Sequence, residues 1–183
     1  MIMTEPPHHQ HDSEDDGFET FLLKDDGVFP NNPKLRVILY RDAIVFEGGD
    51  VAETVEHVFR EHGWDGVWRN SIFGYHHFHA TAHEVLGIAT GTVTVQLGGD
   101  EGPLLELIAG DVVVLPAGVA HKNIDSSDDL IVVGAYPPGQ IWDMNTGGED
   151  ERPRVEESIS RVPLPTTDPV YGPDGPLVTL WER

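Results

Sequence analysis

The sequence predicts an all-β fold, an antiparallel sandwich or barrel, with one helix beside it. Short β-prone runs follow one another between Trp64 and Ala135, among them EVLGIA, TVTVQL and LLELIA. Turn-forming segments such as GGDEG, PAG and DSSDD separate these runs at regular intervals. Short strands punctuated in this way are typical of antiparallel β-proteins. With 183 residues and no internal repeat of the β-rich region, we expect one barrel in one domain.

Two elements precede the β-rich region. LRVILY, residues 35–40, is a strand candidate. The segment after it predicts a helix, because its apolar residues recur at the spacing of one helical face: Val51, Val55, Val58 and Phe59. Asp50, with Glu53 three residues later, suits a capping box at the start of this helix. Gly63 is a natural stop.

The composition divides the chain into four parts. Residues 1–20 are polar and acidic, so we expect a disordered tail in which HHQH at 8–11 is solvated. Residues 21–63 form the N-terminal strand and helix that pack on the barrel, and residues 64–136 form the barrel core. Residues 137–183 are rich in Pro and Gly but carry aromatic side chains that need a surface to pack on. We expect an extended arm over the barrel or over a partner subunit, and a homodimer.

The charge of the chain excludes several classes of partner. Its 32 acidic and 11 basic residues give a formal net charge of −21. Such a chain lacks the basic surface that replaces counterions on nucleic acid, and it is repelled by anionic membranes. No apolar run approaches the roughly 18 residues of a membrane span. The start, MIMTEPPHHQ, does not resemble a secretory signal, so we expect a cytoplasmic protein that binds a small molecule.

The segment 76–84, HHFHATAHE, holds four of the ten histidines of the chain. Alternate residues of a strand share a face. If 72–79 is extended, Tyr75, His77 and His79 point one way and His76 points the other way. Because the chain has no cysteine, any metal must be held by His and carboxylate side chains.

Two further side chains complete a candidate metal site. Glu84 follows His79 across a short turn, and His121 follows a strand and a Pro-Gly turn. Neutral imidazoles and a carboxylate are ligands for divalent transition metals such as Mn, Fe, Ni or Zn. We therefore predict that His77, His79, Glu84 and His121 hold one ion. The alternative is a pocket that keeps the pattern but binds no metal.

Tyr75 and His83 are candidate catalytic residues. Tyr75 shares the predicted face of His77 and His79, where it either lines the pocket as a proton donor or simply packs in the barrel. His83 precedes Glu84, so strand alternation directs it away from the metal. An outer-shell or interface role for His83 then competes with ligation and with proton transfer. For His76 we expect a surface or sheet-packing position.

These segments resemble the two sequence motifs of the cupin superfamily. HHFHATAHEVLGIATG is similar to the first motif, and GDVVVLPAGVAHKN is similar to the second. Each motif departs from the family pattern at one position. Ser71 stands where the first motif begins with glycine, and Asp125 stands where the second ends with asparagine. Neither position is a metal ligand. The matching positions are His77, His79, Glu84 and Gly91 in the first motif, and Gly110, Pro116, Gly118 and His121 in the second.

Segments outside the motifs, including VVGAYPPGQIWDMN and DPVYG, resemble the YjlB-like single-domain cupins. The resemblance implies a jelly-roll barrel, or double-stranded β-helix, with a metal site formed by the four predicted ligands. It implies no particular reaction. Trp142 and Asp143 would close the mouth of the barrel if the arm folds back.

Three function classes follow. The first is a mononuclear metal-dependent oxygenase, isomerase or decarboxylase, since all these chemistries occur on cupins and the fold does not choose between them. The second is a non-catalytic cupin that binds a small molecule. The third is a structural role with a vestigial pocket, which the intact ligand pattern disfavours.

The acidic excess predicts a salt-dependent stability. Only three lysines occur, and the carboxylates are spread over the chain. This composition favours a protein from a salt-loaded cytoplasm over an acidic mesophilic protein. Added KCl screens the repulsion between carboxylates. We therefore expect the melting temperature to rise with KCl concentration in a thermal scan. A melting temperature that does not rise would contradict the halophilic interpretation.

Overall fold

The computed structural model describes residues 11–12 and 17–182, which form ten strands and three helices. The strands are β1 His11–Asp12, β2 Phe18–Phe21, β3 Val37–Tyr40, β4 Asp65–Asn70, β5 Glu84–Thr90, β6 Thr92–Leu97, β7 Leu104–Ile108, β8 Val112–Leu115, β9 His121–Ser126 and β10 Ile131–Tyr136. The helices are α1 Val51–Glu61, α2 Arg154–Arg161 and α3 Pro176–Leu180. Within the described part of the chain, no helix has the length and apolar character that crossing a bilayer requires.

Two antiparallel sheets build the barrel and confirm the predicted all-β, jelly-roll fold. Seven strands form the larger sheet in the order β1-β2-β3-β8-β5-β10-β4, and three form the smaller sheet in the order β7-β6-β9. Strands β6 and β7 form an antiparallel hairpin, with Thr92 paired to Ile108. Apolar side chains from both sheets meet in one buried cluster inside the barrel, among them Leu86, Val113 and Val95.

The central strands β3, β8 and β5 of the larger sheet are buried on both faces. Along β5, Leu86 points into the barrel and Val85 points to the outer face, where it joins the cluster that includes Val55 and Phe59 of α1. A methyl group on Gly87 would lie 2.6 Å from the Cγ1 atom of Val55, so the close approach of helix and sheet requires glycine there. Val85 and Glu84 therefore face opposite sides of a covered sheet, which fixes the side to which each residue of β5 points.

Helix α1 begins and ends as the sequence predicts. The Asp50 carboxylate accepts hydrogen bonds from the backbone N–H groups of Ala52 at 3.0 Å and Glu53 at 3.2 Å. After the helix, Gly63 adopts a φ of 81°, the left-handed conformation that glycine tolerates best.

The predicted disordered tail, residues 1–20, overlaps with the first residues of strand β2. Strand β2 begins at Phe18, pairs with β3 through Phe18 and Tyr40, and buries Thr20. FETF can do this because β3 offers it a free edge with matching alternation. Residues 1–10 and 13–16, which include most of HHQH, lie outside the described residues.

The C-terminal segment, 137–183, is not the extended arm that its Pro and Gly content predicts. It contains helices α2 and α3, and it packs on the barrel of its own chain. Val155 and Ile159, four residues apart on α2, are buried against Phe29 and Phe78. Their i, i+4 spacing is a helical signal that the flanking prolines obscure.

Asp168 anchors the end of this segment to the larger sheet. Its carboxylate is fully buried and accepts hydrogen bonds from the Tyr40 hydroxyl, from the backbone N–H of Val170 at 2.8 Å and from that of Leu177 at 3.1 Å. Burial and the charge of Asp168 raise the pKa of the Tyr40 hydroxyl. One side chain thus joins strand β3 to the start of α3.

We expect Asp168→Ala to lower the free energy of unfolding by about 3 kcal/mol, because it leaves several buried donors without an acceptor. Urea denaturation in high salt measures this change. Asp128→Ala, in an exposed turn, is the matched control and should change stability by less than about 0.5 kcal/mol. Equal effects of the two substitutions would show that Asp168 is no anchor.

Candidate metal centre

Residues from three separate segments meet at one end of the barrel. Glu84 is the first residue of β5, and its side chain shares the inner face with Leu86. His121 is the first residue of β9. The backbone of His77 pairs with that of His121 through two hydrogen bonds, of 3.2 Å and 3.0 Å. This pairing brings the first motif against the second.

The predicted strand over residues 72–79 is not continuous. Its ordered pairing is limited to two isolated bridges, His77 with His121 and Phe78 with Asn145. Alternation still holds between His77, Phe78 and His79, because Phe78 is buried in a cluster with Phe29 while the two imidazoles face the barrel interior.

The three predicted ligand histidines share one ring orientation. The Nδ1 atom of each lies against a backbone carbonyl: His77 against Tyr75 at 3.0 Å, His121 against Val119 at 3.0 Å, and His79 against Asp143. A carbonyl oxygen only accepts, so Nδ1 must carry the proton in each ring. In each neutral ring the Nε2 atom then carries a free lone pair, and this form of imidazole binds metal.

The two oxygens of Glu84 have different surroundings. Oε1 accepts a hydrogen bond of 3.1 Å from the Tyr136 hydroxyl, which in turn accepts one of 2.9 Å from the indole N–H of Trp68. Oε2 accepts no hydrogen bond of good geometry from any residue that the structure describes. It faces the Nε2 atoms of His79 and His121, each 3.3 Å away.

The electrostatics of this group reflect its burial and its mixed charges. Burial and the neighbouring imidazole of His121 lower the pKa of His77 to about 3. Burial also disfavours charge on His79 and Glu84, but their mutual attraction outweighs it. The pKa of His79 is consequently raised, and that of Glu84 lies well below its usual range.

These surroundings fit a divalent transition-metal ion. Three potential ligand atoms, from His79, Glu84 and His121, lie within 4.8 Å of one another and are all buried. Two imidazole lone pairs and an unpartnered carboxylate oxygen converge, and only a cation satisfies all three together.

His77 stands slightly apart from this trio. Its ring centroid lies 4.1 Å from that of His121 and 6.1 Å from that of His79, and it lines the same cavity. The structure therefore brings three of the four predicted ligands into one tight group and places the fourth at its edge.

Tyr75 and His83, the predicted catalytic residues, lie outside the cavity wall. Tyr75 is 48% exposed and stacks on Phe73, with ring centroids 5.1 Å apart. His83 is buried on the outer face of the larger sheet, 4.9 Å from the indole of Trp181. Its Nδ1 accepts a hydrogen bond of 2.9 Å from the backbone N–H of Ala117, so its proton sits on Nε2, opposite to the ligand histidines.

His76 faces away from the site as alternation predicts, but it is buried and not at the surface. Its ring packs on Phe29, with centroids 5.2 Å apart, and its Nε2 lies 3.4 Å from the Asp100 carboxylate. The sheet-packing alternative for His76 describes this position.

Tyr136 and Trp68 are site residues that sequence reasoning missed. Tyr136 ends β10, and Trp68 lies opposite Gly134 in the pairing of β4 with β10. The indole of Trp68 covers Gly134 so closely that a methyl group there would lie 2.1 Å from the ring. The available signal was an inward-facing tyrosine at a strand end, which is also ordinary core packing.

The four predicted ligands, His77, His79, Glu84 and His121, are called the candidate metal-binding group below. A cavity of about 330 Å³ opens from this group to solvent. Trp142, from the segment after β10, forms part of its wall and packs edge-on against His79 with centroids 5.6 Å apart. The neighbouring Asp143 supplies the carbonyl that holds His79, and its carboxylate accepts a hydrogen bond of 2.7 Å from the backbone N–H of Ala80. The C-terminal segment thus folds back over the mouth of the barrel.

Comparison with known proteins gives one clear relative. No protein-family model matches the chain. The uncharacterized protein YjlB from Bacillus subtilis is 39% identical over 165 residues, which cover 90% of this chain and 97% of YjlB.

Solved structures give weaker likenesses. An acireductone dioxygenase from Bacillus anthracis, with a cadmium ion in its active centre, is 18% identical with a TM-score of 0.36 over 50% of this chain and 63% of that one. An oxalate decarboxylase from Bacillus subtilis is 14% identical with a TM-score of 0.32 over 75% of this chain and 30% of that one. This chain spans less than two thirds of either structure, and at these scores neither likeness carries an argument.

The buried imidazole of His83 predicts a pH dependence of stability. Burial lowers the pKa of His83 to about 4, from an ordinary value of 6.5. Below pH 6.5 the unfolded chain therefore gains a proton that the folded chain does not, and stability falls as the pH drops towards 4. His83→Asn keeps an acceptor for Ala117 but does not titrate in this range.

Between pH 6.5 and pH 5, we expect metal-free wild type to lose about 1.5 kcal/mol more unfolding free energy than the Asn variant. Urea denaturation at the two pH values, after treatment with a chelator, measures the difference. Identical pH dependence in both proteins would refute this assignment.

Proposed function

The chain belongs to the YjlB-like family of single-domain cupins, and we propose that it holds one divalent transition-metal ion at the buried end of its cavity. His79, Glu84 and His121 would be the core ligands, and His77 would be the fourth. Mn, Fe, Ni and Zn all suit imidazole and carboxylate ligands. The metal would serve a reaction on a small molecule, as an oxygenase or isomerase centre.

One observation carries this proposal. Glu84 is buried with an oxygen that lacks a hydrogen-bond donor, and two imidazoles turn their lone pairs towards it. Unpaired buried charge is strongly unfavourable. An arrangement that orients three unpaired ligand atoms to one point is unfavourable for stability alone, but it is the geometry that metal binding requires.

The surrounding residues would define how the ion is held. The hydrogen bond from Tyr136 occupies Oε1 of Glu84, so Oε2 remains as the single ligand oxygen. Three imidazoles and one carboxylate oxygen would hold the ion and would leave it accessible to a small molecule in the cavity. A metal there supplies Lewis-acid or redox chemistry to that small molecule. Trp142 limits the access of water from the mouth.

A non-catalytic, small-molecule binding cupin is the second candidate. Outside the metal-binding group, the described wall has few proton-transferring side chains, and Tyr136 and Ser71 are the clearest examples. Chemistry at this site would therefore depend on the metal itself. Oxygen uptake by the metal-loaded protein with phenols, diketones or sugars separates the two functions. Inertness across such a panel would favour the binding protein.

The metal proposal predicts a specific loss on substitution. His121→Ala removes one imidazole from the tight group, so metal content should fall from about one ion per chain to a small fraction. Elemental analysis of protein purified without a His tag in native salt measures this content. His57→Ala removes an exposed histidine of α1 and should leave the content unchanged. Wild type that carries no more first-row metal than His121→Ala would overturn the proposal.

A further inference from the structure

We infer that the cavity accepts a planar aromatic molecule with at most one negative charge, carried by the oxygen that faces the metal-binding group. Phenols and enolic aromatic compounds of one or two rings are the class that this describes. The part of the inference that concerns the oxygen rests on the proposed metal, whereas the preference for an uncharged ring rests on the cavity wall alone.

Beyond the four proposed ligands, the cavity wall contains four aromatic side chains together with three aliphatic ones: Trp68, Phe73, Tyr136 and Trp142, and Ile72, Leu86 and Met144. Two of the aromatic rings flank the imidazoles: Phe73 lies edge-on to His77 with centroids 5.1 Å apart, and Trp142 lies edge-on to His79. Trp142 also stacks at 23° on Tyr136, with centroids 6.4 Å apart. Phe73 and Trp142 are 47% and 49% exposed, so each keeps an uncovered apolar surface beside the site. A flat aromatic ligand would cover that surface.

No lysine or arginine belongs to the described cavity wall. Arg69 follows Trp68 in β4, but its guanidinium pairs with Glu56 and with Asp50, 2.9 Å away, on the side of α1. Lys122 follows His121 in β9, so alternation directs it to the opposite face of that strand. The two cations nearest in sequence to wall residues are therefore turned away from a bound ligand.

The charges inside the cavity set a limit on the ligand. A divalent ion and the Glu84 carboxylate sum to one positive charge. One anionic oxygen on the ligand would neutralise this sum, whereas a second negative group would lie against an apolar wall without a partner. Dicarboxylates, phosphates and sulfonates are thereby disfavoured.

The size and polarity of the cavity disfavour sugars as well. Its volume of about 330 Å³ lies at the lower end of small-molecule sites, which span about 300–1,000 Å³. Outside the metal-binding group, Asn70, Ser71 and Tyr136 are the main polar side chains of the described wall. The several hydroxyl groups of a sugar would lose water without finding enough partners.

Two probes that differ by one remote charge test the inference. 2-Naphthol carries one phenolic oxygen on a planar ring, and 6-hydroxynaphthalene-2-sulfonate adds a sulfonate at the far end. Equilibrium dialysis against protein loaded with Zn²⁺ should show at least about tenfold tighter binding of 2-naphthol, equivalent to about 1.4 kcal/mol. Equal or tighter binding of the sulfonate would overturn the inference.

A matched pair of variants locates the binding. Trp142→Leu removes a half-exposed aromatic ring from the wall, and Tyr171→Leu removes one of similar exposure that is not in the wall. We expect the first substitution to weaken 2-naphthol binding about tenfold when binding is compared at equal zinc content, and the second to leave binding unchanged. Equal effects of the two would contradict the assignment to this cavity.

The outcomes separate the two proposals. Protein with full zinc content that binds no 2-naphthol overturns this inference and leaves the metal proposal standing. Protein that holds no metal overturns the metal proposal. In that case the aromatic preference stands only if 2-naphthol binds the metal-free protein in a Trp142-dependent manner, and it falls if it does not.

Discussion

Removal of a carboxylate from water is unfavourable unless its charge is compensated, and Glu84 is only 3% exposed. One of its oxygens accepts a hydrogen bond from Tyr136. The other faces two imidazoles whose Nδ1–H groups donate hydrogen bonds to backbone carbonyls. A cation must complete this arrangement. A metal ion would do so by binding all three side chains.

Much of the fold serves to hold these atoms in position. The cover of α1 on the outer face of the larger sheet fixes the direction of each residue in β5, and hence sends Glu84 inwards and His83 outwards. The pairing of His77 with His121 joins the two motifs. The C-terminal segment contributes the Asp143 carbonyl that orients His79 and the Trp142 ring that narrows the mouth. The centre is therefore complete only with the segment beyond the barrel in place.

The sequence was informative wherever local periodicity decides the structure. Alternation placed Glu84 and His83 on opposite faces, and the i, i+4 pattern with its Asp50 cap located α1. The two motifs also predicted that His121 meets His79 and Glu84, but the sequence was not informative about contacts between distant segments outside those motifs. The proximity of Tyr136 to Glu84 depends on the register between β10 and β5, and the position of Tyr75 depends on the irregular backbone before His77. Prolines around α2 also concealed a helix that tertiary packing stabilises.

Anomalous X-ray diffraction from crystals loaded with one first-row metal tests the central claim most directly, because it locates the ion without reference to activity. The account predicts a single strong peak at about 2.0–2.3 Å from the Nε2 atoms of His79 and His121 and from Oε2 of Glu84. The same experiment shows whether His77 is also a ligand. Crystals that bind metal only at surface carboxylates, with no peak among these three atoms, would contradict the account.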